Sequence, residues 1–173
     1  MITNFKRLGI FILTLLLITC ICACEDPKNA DPFSEFSGNF QAEVRLSLGE
    51  SSSKYTYRRE NGTETVLFSE PSELNGYFFT KNGERITLSY EDICVEVNAS
   101  VGRIAVISSV IFAPNSDLIS SISAKEQDGK RVTEVVCDGV TYRFSRDGAP
   151  ILAQGSVADI TFSAEILSIG DAR

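Results

Sequence analysis

From Asn39 to Leu48 the chain alternates without a fault. Phe40, Ala42, Val44, Leu46 and Leu48 are apolar, and Asn39, Gln41, Glu43, Arg45 and Ser47 between them are polar. Successive side chains of an extended strand point to opposite faces, so this pattern specifies a strand with one face buried and one in water, as in an antiparallel sheet.

The same period governs most of the chain beyond Leu48. Ser52 to Glu60 places Tyr55 and Tyr57 on one face and Lys54, Thr56 and Arg58 on the other. Asn61-Gly62 suits the two positive-φ positions of a type I′ hairpin turn, and Thr63 to Ser69 returns carrying Val66 and Phe68. Pro71 and Gly76 bound a loop. Gly76 to Thr80, with Phe79, and Ile86 to Tyr90, with Ile86, Leu88 and Tyr90 on one face, flank a second Asn-Gly pair at Asn82-Gly83. In Ile93 to Val97 the apolar positions lie opposite Cys94 and Glu96.

One stretch breaks the pattern. Val101, Ile104, Ala105, Ile107, Ser108 and Ile111 follow a period near 3.6, which predicts a helix within Ala99 to Phe112, stopped by Ala113-Pro114-Asn115. Asp117 to Ser123 has no clear period, and the chain extends again by Ala124 to Gln127. Four more strands are predicted at Arg131 to Asp138, Val140 to Ser145, Ala149 to Ala153 and Val157 to Ile166. Their turns fall at Asp138-Gly139, Asp147-Gly148 and Gln154-Gly155, with Asp128-Gly129 before them. Val140, Tyr142 and Phe144 share a face, as do Ile160, Phe162, Ala164 and Ile166. Short connections make neighbours in sequence neighbours in space, giving roughly ten or eleven antiparallel strands and one inserted helix, a mainly β (α+β) chain.

The N-terminus has a separate purpose. Lys6 and Arg7 precede an uncharged apolar run from Leu8 to Cys24, and Glu25, Asp26 and Pro27 come after it. This is the layout of a secretory signal. Its end, Ile21-Cys22-Ala23-Cys24, resembles the lipobox of bacterial lipoproteins, which implies cleavage after residue 23 and acylation of Cys24. An uncleaved span is the competing reading, at the bottom of the spanning range of length. Residues 24–36 read as a flexible tether of roughly 40 Å at full extension, and 37–168 as the folded domain. Either way the domain is held at a membrane on its extracytoplasmic face.

Charge and composition exclude several functions. Without histidine there is no Ser-His-Asp or Cys-His nucleophile pair and no His-containing metal site. Loss of residues 1–23 leaves 14 Lys+Arg against 23 Asp+Glu, a charge of −9. Such acidity argues against nucleic acid as a partner, and against a basic face lying on an anionic bilayer. Cys94 and Cys137 are the cysteines left beyond the anchor. An even pair in an exported chain permits a disulfide, free thiols fit equally well, and only their separation decides. Glu70, Glu73, Glu91 and Asp92 cluster around turns without the spacing of a calcium loop and read as solvated residues.

A meander with one apolar face must close, pair with a second sheet, or curl around a helix. The strand-and-helix order, the lipobox at Cys24, and the phrases from Ser69 to Gly76 and from Tyr142 to Ile151 together resemble the LolA/LolB-like carriers of the bacterial envelope. They equally resemble the related mycobacterial lipid-binding lipoproteins and the RseB-type sensor domain. That resemblance covers roughly Phe36 to Ile166. It implies a half-open barrel with the helix as lid over an apolar cavity and a lipid or acyl chain as ligand. Inward candidates to line the cavity are Phe40, Val44, Leu46, Tyr55, Tyr57 and Phe68 from the first half, and Phe79, Leu88, Tyr142, Phe144 and Phe162 beyond. On spacing alone these side chains would equally fill one another's space as a core. The function expected is non-catalytic, with no cofactor or metal: a membrane-anchored lipoprotein binding a hydrophobic ligand. The competing expectation is a protein-interaction or sensing module of the same fold without cargo, its protein partner unspecified.

Overall fold

Tight turns between alternating segments pair each strand with the next, and the chain builds two meanders in that way. The computed structural model describes residues 31–172, so the signal segment and Cys24 lie outside the described residues. The first six strands are β1 (Phe40–Leu48), β2 (Ser51–Glu60), β3 (Thr63–Glu70), β4 (Phe78–Asn82), β5 (Arg85–Tyr90) and β6 (Ile93–Val97). The helix α1 (Arg103–Phe112) comes next. Then come β7 (Ile119–Gln127), β8 (Lys130–Cys137), β9 (Val140–Phe144), β10 (Pro150–Val157) and β11 (Ile160–Asp171).

All eleven belong to one antiparallel sheet in the order β6-β5-β4-β3-β2-β1-β11-β10-β9-β8-β7. Two meanders are thus joined by pairing the first strand with the last, from Phe40 opposite Asp171 to Leu48 opposite Phe162. The free edges are β6 and β7, and α1 carries the chain from one to the other. The result is the half-open barrel that the resemblance implies, mainly β with a single α-helix among the described residues.

Register places the apolar residues on one face. Val44 lies opposite Tyr55, Tyr55 opposite Phe68, Val66 opposite Phe79, and Phe79 opposite Leu88. On the other side Leu46 pairs with Ala164, Ala164 with Ala153, and Ala153 with Tyr142. The helix lies against this face. Ile107, Ile111 and Phe112 are buried there, and the Phe112 ring stacks on Tyr57 with centroids 4.4 Å apart.

Several boundaries differ from expectation, each for a physical reason. The folded unit begins at Pro32, inside the segment read as a tether. Phe33 packs on Tyr142 with centroids 4.9 Å apart, and Phe36 meets Phe112 edge-on at 5.3 Å. Burying each such ring contributes roughly 1.5–3 kcal/mol, more than an exposed arm could recover. The helix starts at Arg103, after a turn in which the Asn98 side chain accepts the Val101 N–H and its carbonyl the Gly102 N–H. The turn expected at Gln154-Gly155 lies instead at Ala158-Asp159, both at positive φ. Gly155 sits mid-strand because a Cβ there would come 3.1 Å from Val140 Cγ2 and 3.2 Å from the Gly139 carbonyl. On β6, Ile93 and Val95 keep the concave-face register but are 64% and 47% exposed, since the helix does not cover that edge.

Candidate functional site

The residues expected to line a cavity are brought together, and they pack on one another. Phe40, Val44, Leu46, Tyr55, Tyr57, Phe68, Phe79, Tyr142, Phe144 and Phe162 are buried in one cluster, with Leu88 partly buried against it. Helix residues fill the concave side above them, so these side chains form the floor on which α1 rests.

Polar atoms in this packing find partners. Ser108 Oγ donates to the Tyr55 hydroxyl at 2.8 Å, and the Tyr142 hydroxyl donates to the Val110 carbonyl at 2.9 Å. The helix is therefore hydrogen-bonded to both meanders. Burial pushes the Tyr55, Tyr57 and Tyr142 phenols far above the ordinary tyrosine range; the nearby Glu64 carboxylate adds to the rise at Tyr57. Ser109 also bonds Glu64, which lies 3.8 Å from Arg59 and 3.9 Å from Lys81.

Open space occurs beside the floor. A cleft of about 490 Å³ lies between the N-terminal half of α1 and the β10–β11 turn, lined by Ala99, Ser100, Arg103, Val106, Ile107, Val157, Ala158, Asp159 and Ile160. None of the eleven expected lining residues borders it. Val157 and Ile160 are directly opposed on β10 and β11, which gives the cleft an apolar wall. Arg103 stands at its edge and is one of the few basic side chains with no ion pair among the described residues. The helical period puts Ile107 on the buried side, but nothing local indicates that the β10–β11 turn faces it.

The two cysteines are unbonded. Cys137 is buried with Sγ 3.1 Å from the Asn115 carbonyl, and Cys94 is exposed on the free edge strand β6. Cys94 is on the edge strand β6 and Cys137 on β8, one strand in from the other edge, and the disulfide that an even count permits is not formed. Glu70, Glu73, Glu91 and Asp92 are exposed at turns. Among the described residues no group of three His, Cys, Asp or Glu could hold a metal ion.

Fold and clefts define a class: a single-sheet half-barrel whose concave face carries a helix, with a partly apolar cleft at the helix's N-terminal half. No protein-family model and no curated protein matches the chain. Solved structures of similar fold do exist. An uncharacterized conserved protein from Thermus thermophilus aligns over 83% of this chain and 84% of its own, with TM-score 0.54 and 10% identity. MucB aligns over 86% of this chain and 60% of its own, with TM-score 0.50 and 11% identity; it has also been solved in complex with MucA, from Pseudomonas aeruginosa. A LolA superfamily protein from Nitrosomonas europaea covers 84% of this chain and 91% of its own, with TM-score 0.42 and 10% identity. At these identities the likeness is one of fold.

Proposed function

We propose that the chain is a non-catalytic lipoprotein of the extracytoplasmic membrane face, anchored through acylated Cys24, that binds a hydrophobic ligand with an acyl chain. The observation that carries this reading is the cleft beneath the N-terminal half of α1, where Val106, Ile107, Val157 and Ile160 supply apolar wall and Arg103 an unpaired charge at the edge. Its volume, about 490 Å³, lies in the range of small-molecule pockets. The proposed site lies at one end of the helix and beside, not among, the residues expected to line a cavity under it.

A soluble form beginning at Glu25 keeps every residue of the core cluster, which runs from Phe33 to Ile166. Purified from its own envelope, it is expected to carry lipid in native mass spectrometry and to take up a fluorescent fatty acid. Ile160→Trp or Val106→Trp fills the cleft and lowers uptake by about tenfold, equivalent to roughly 1.4 kcal/mol. Recovery without lipid, or uptake indifferent to both substitutions, sinks the ligand reading. For the anchor, Cys24→Ser releases the full chain from membranes after a high-salt wash; retention sinks that part alone.

A second reading, a protein-interaction module, is supported by the free edges β6 and β7, which expose Ile93, Val95 and, at 51%, Ile122 beside unpaired backbone.

A further inference from the structure

Net charge conceals how the basic residues are placed. Twelve Lys and Arg fall within residues 31–172, and eight of them lie within 4.0 Å of a carboxylate. The four without an ion pair among the described residues are Arg103, Lys130, Arg131 and Arg146. The last three line one open cleft of about 960 Å³, between the β7–β8 hairpin end and the β9–β10 turn, together with Lys125. Two carboxylates share the lining, Glu126 and Asp147, and Asp147 already accepts the Ser145 hydroxyl at 2.5 Å. Lys125 is paired with Glu134 outside the lining, so three unpaired cations against two anions leave the cleft at +1 on a domain that is strongly acidic as a whole. Val132, which is buried, and Ile151 give it an apolar floor. Net charge argues against a basic face, and this cleft is a local exception to it: strand pairing sets Arg146 beside Lys130 and Arg131.

The position of the cleft identifies what it meets. The chain enters the domain at Phe33, whose ring packs on Phe144 at 5.9 Å, and Phe144 leads directly into Ser145 and Arg146 of the cleft. Eight residues lie between Cys24 and Phe33, so the nine steps reach at most about 30 Å. An acyl anchor at Cys24 therefore holds Phe33, and with it this end of the domain, within about 30 Å of the bilayer. We propose that the Lys130, Arg131 and Arg146 cleft is a docking site for the phosphate-bearing headgroups of anionic membrane lipids, setting the end of the half-barrel against the surface to which it is tethered. The inference rests on the Cys24 anchor proposed for this chain. Basic side chains at an anionic surface attract it individually, and salt screens that attraction.

The test uses the soluble form from Glu25, which lacks Cys24, so that its outcome is separate from that of the anchor. It is expected to co-sediment with phosphatidylglycerol/phosphatidylcholine vesicles and not with phosphatidylcholine vesicles, and to release as salt rises. Lys130→Ala and Arg146→Ala each lower the partition coefficient by about fivefold, the factor that corresponds to about 1 kcal/mol per basic residue. Arg85→Ala, at a β5 cation paired with Glu96 of β6, leaves it unchanged. All three positions are exposed, and matching thermal transitions verify that the fold is kept. Equal binding to both vesicle types overturns the proposal, as does binding unaffected by Lys130→Glu/Arg146→Glu. So does displacement by inorganic phosphate beyond that caused by chloride at equal ionic strength, since the cleft would then recognise a free anion.

Discussion

Ser108 Oγ on α1 donates a 2.8 Å hydrogen bond to the Tyr55 hydroxyl on β2, and both residues are fully buried, 53 positions apart in sequence. With the Tyr142–Val110 bond it ties the helix to both meanders, which are otherwise joined by the pairing of β1 with β11. Removing one partner leaves the other buried and unsatisfied. Tyr55→Phe and Ser108→Ala are each expected to cost about 1–3 kcal/mol in urea unfolding, and the double variant clearly less than their sum. Strict additivity would show that the bond contributes nothing.

The three buried phenols give the protein an alkaline limit. A phenol whose pKa is raised by folding holds its proton more tightly in the native state. Its contribution is complete below the ordinary value of about 10 and is lost as pH rises beyond it. Desolvation is the main cause at Tyr55, Tyr57 and Tyr142. The urea midpoint is expected to fall above about pH 10, with tyrosinate absorbance from these side chains appearing only as the chain unfolds. Ionisation of all five tyrosines in a still-folded protein contradicts this.

Glu134 on β8 sets a smaller limit on the acid side. Its carboxylate is bonded by Lys125 of β7 and lies 3.3 Å from Arg143 Nε of β9. The Lys125 bond is the largest influence holding its pKa below the usual glutamate value. A depressed carboxylate stabilises the fold above its unfolded pKa and loses that contribution as pH falls through the folded one. Lys125 is half exposed, so screening limits the effect to about 1 kcal/mol. Glu134→Gln is expected to lower stability by that amount at neutral pH and to flatten the acid limb of the stability profile; an unchanged limb refutes the assignment.

The thiols differ in the same way as their surroundings. Cys94 is exposed, whereas Cys137 is buried and its thiol pushed up by desolvation. In the soluble form from Glu25, iodoacetamide should add one label under native conditions, at Cys94, and two after denaturation. Equal labelling of both cysteines in the native state would be incompatible with the buried position of Cys137.

Much of the sheet was legible because its signals are local. The alternation in β1 and the positive-φ pairs Asn61-Gly62, Asp128-Gly129 and Asp138-Gly139 each act over a few residues. What was not legible depends on residues far apart in sequence. Nothing near Phe40 or Asp171 says that they pair. Gly155 read as a turn because glycine usually marks one, whereas its role is to admit Val140. Phe33 and Phe36 sat in a polar, Pro-containing arm, and only the Tyr142 and Phe112 rings gave them a place to pack. The candidate site fared similarly. Periodicity identified the inward side chains, and it could not distinguish a floor under the helix from the lining of a cleft.

A second glycine governed by close approach is Gly102, the N-cap residue just before the helix. It does not need positive φ; it needs the absence of a Cβ, which would lie 2.8 Å from Ile86 Cγ2 and 3.2 Å from Cδ1. Gly102→Ala therefore forces the start of α1 away from β5 and is expected to cost about 1–3 kcal/mol, the range for overpacking, with no offsetting gain because alanine is a poorer N-cap than glycine. Ile86 is itself buried, so Ile86→Ala alone also destabilises, by about 2–5 kcal/mol. Combined, the two should relieve each other, since the methyl added at 102 occupies space vacated at 86. A double-mutant cycle by urea unfolding is expected to show that the pair costs at least about 1 kcal/mol less than the sum. Additive losses would mean that the helix start yields freely and that Gly102 is not chosen for its contact with Ile86.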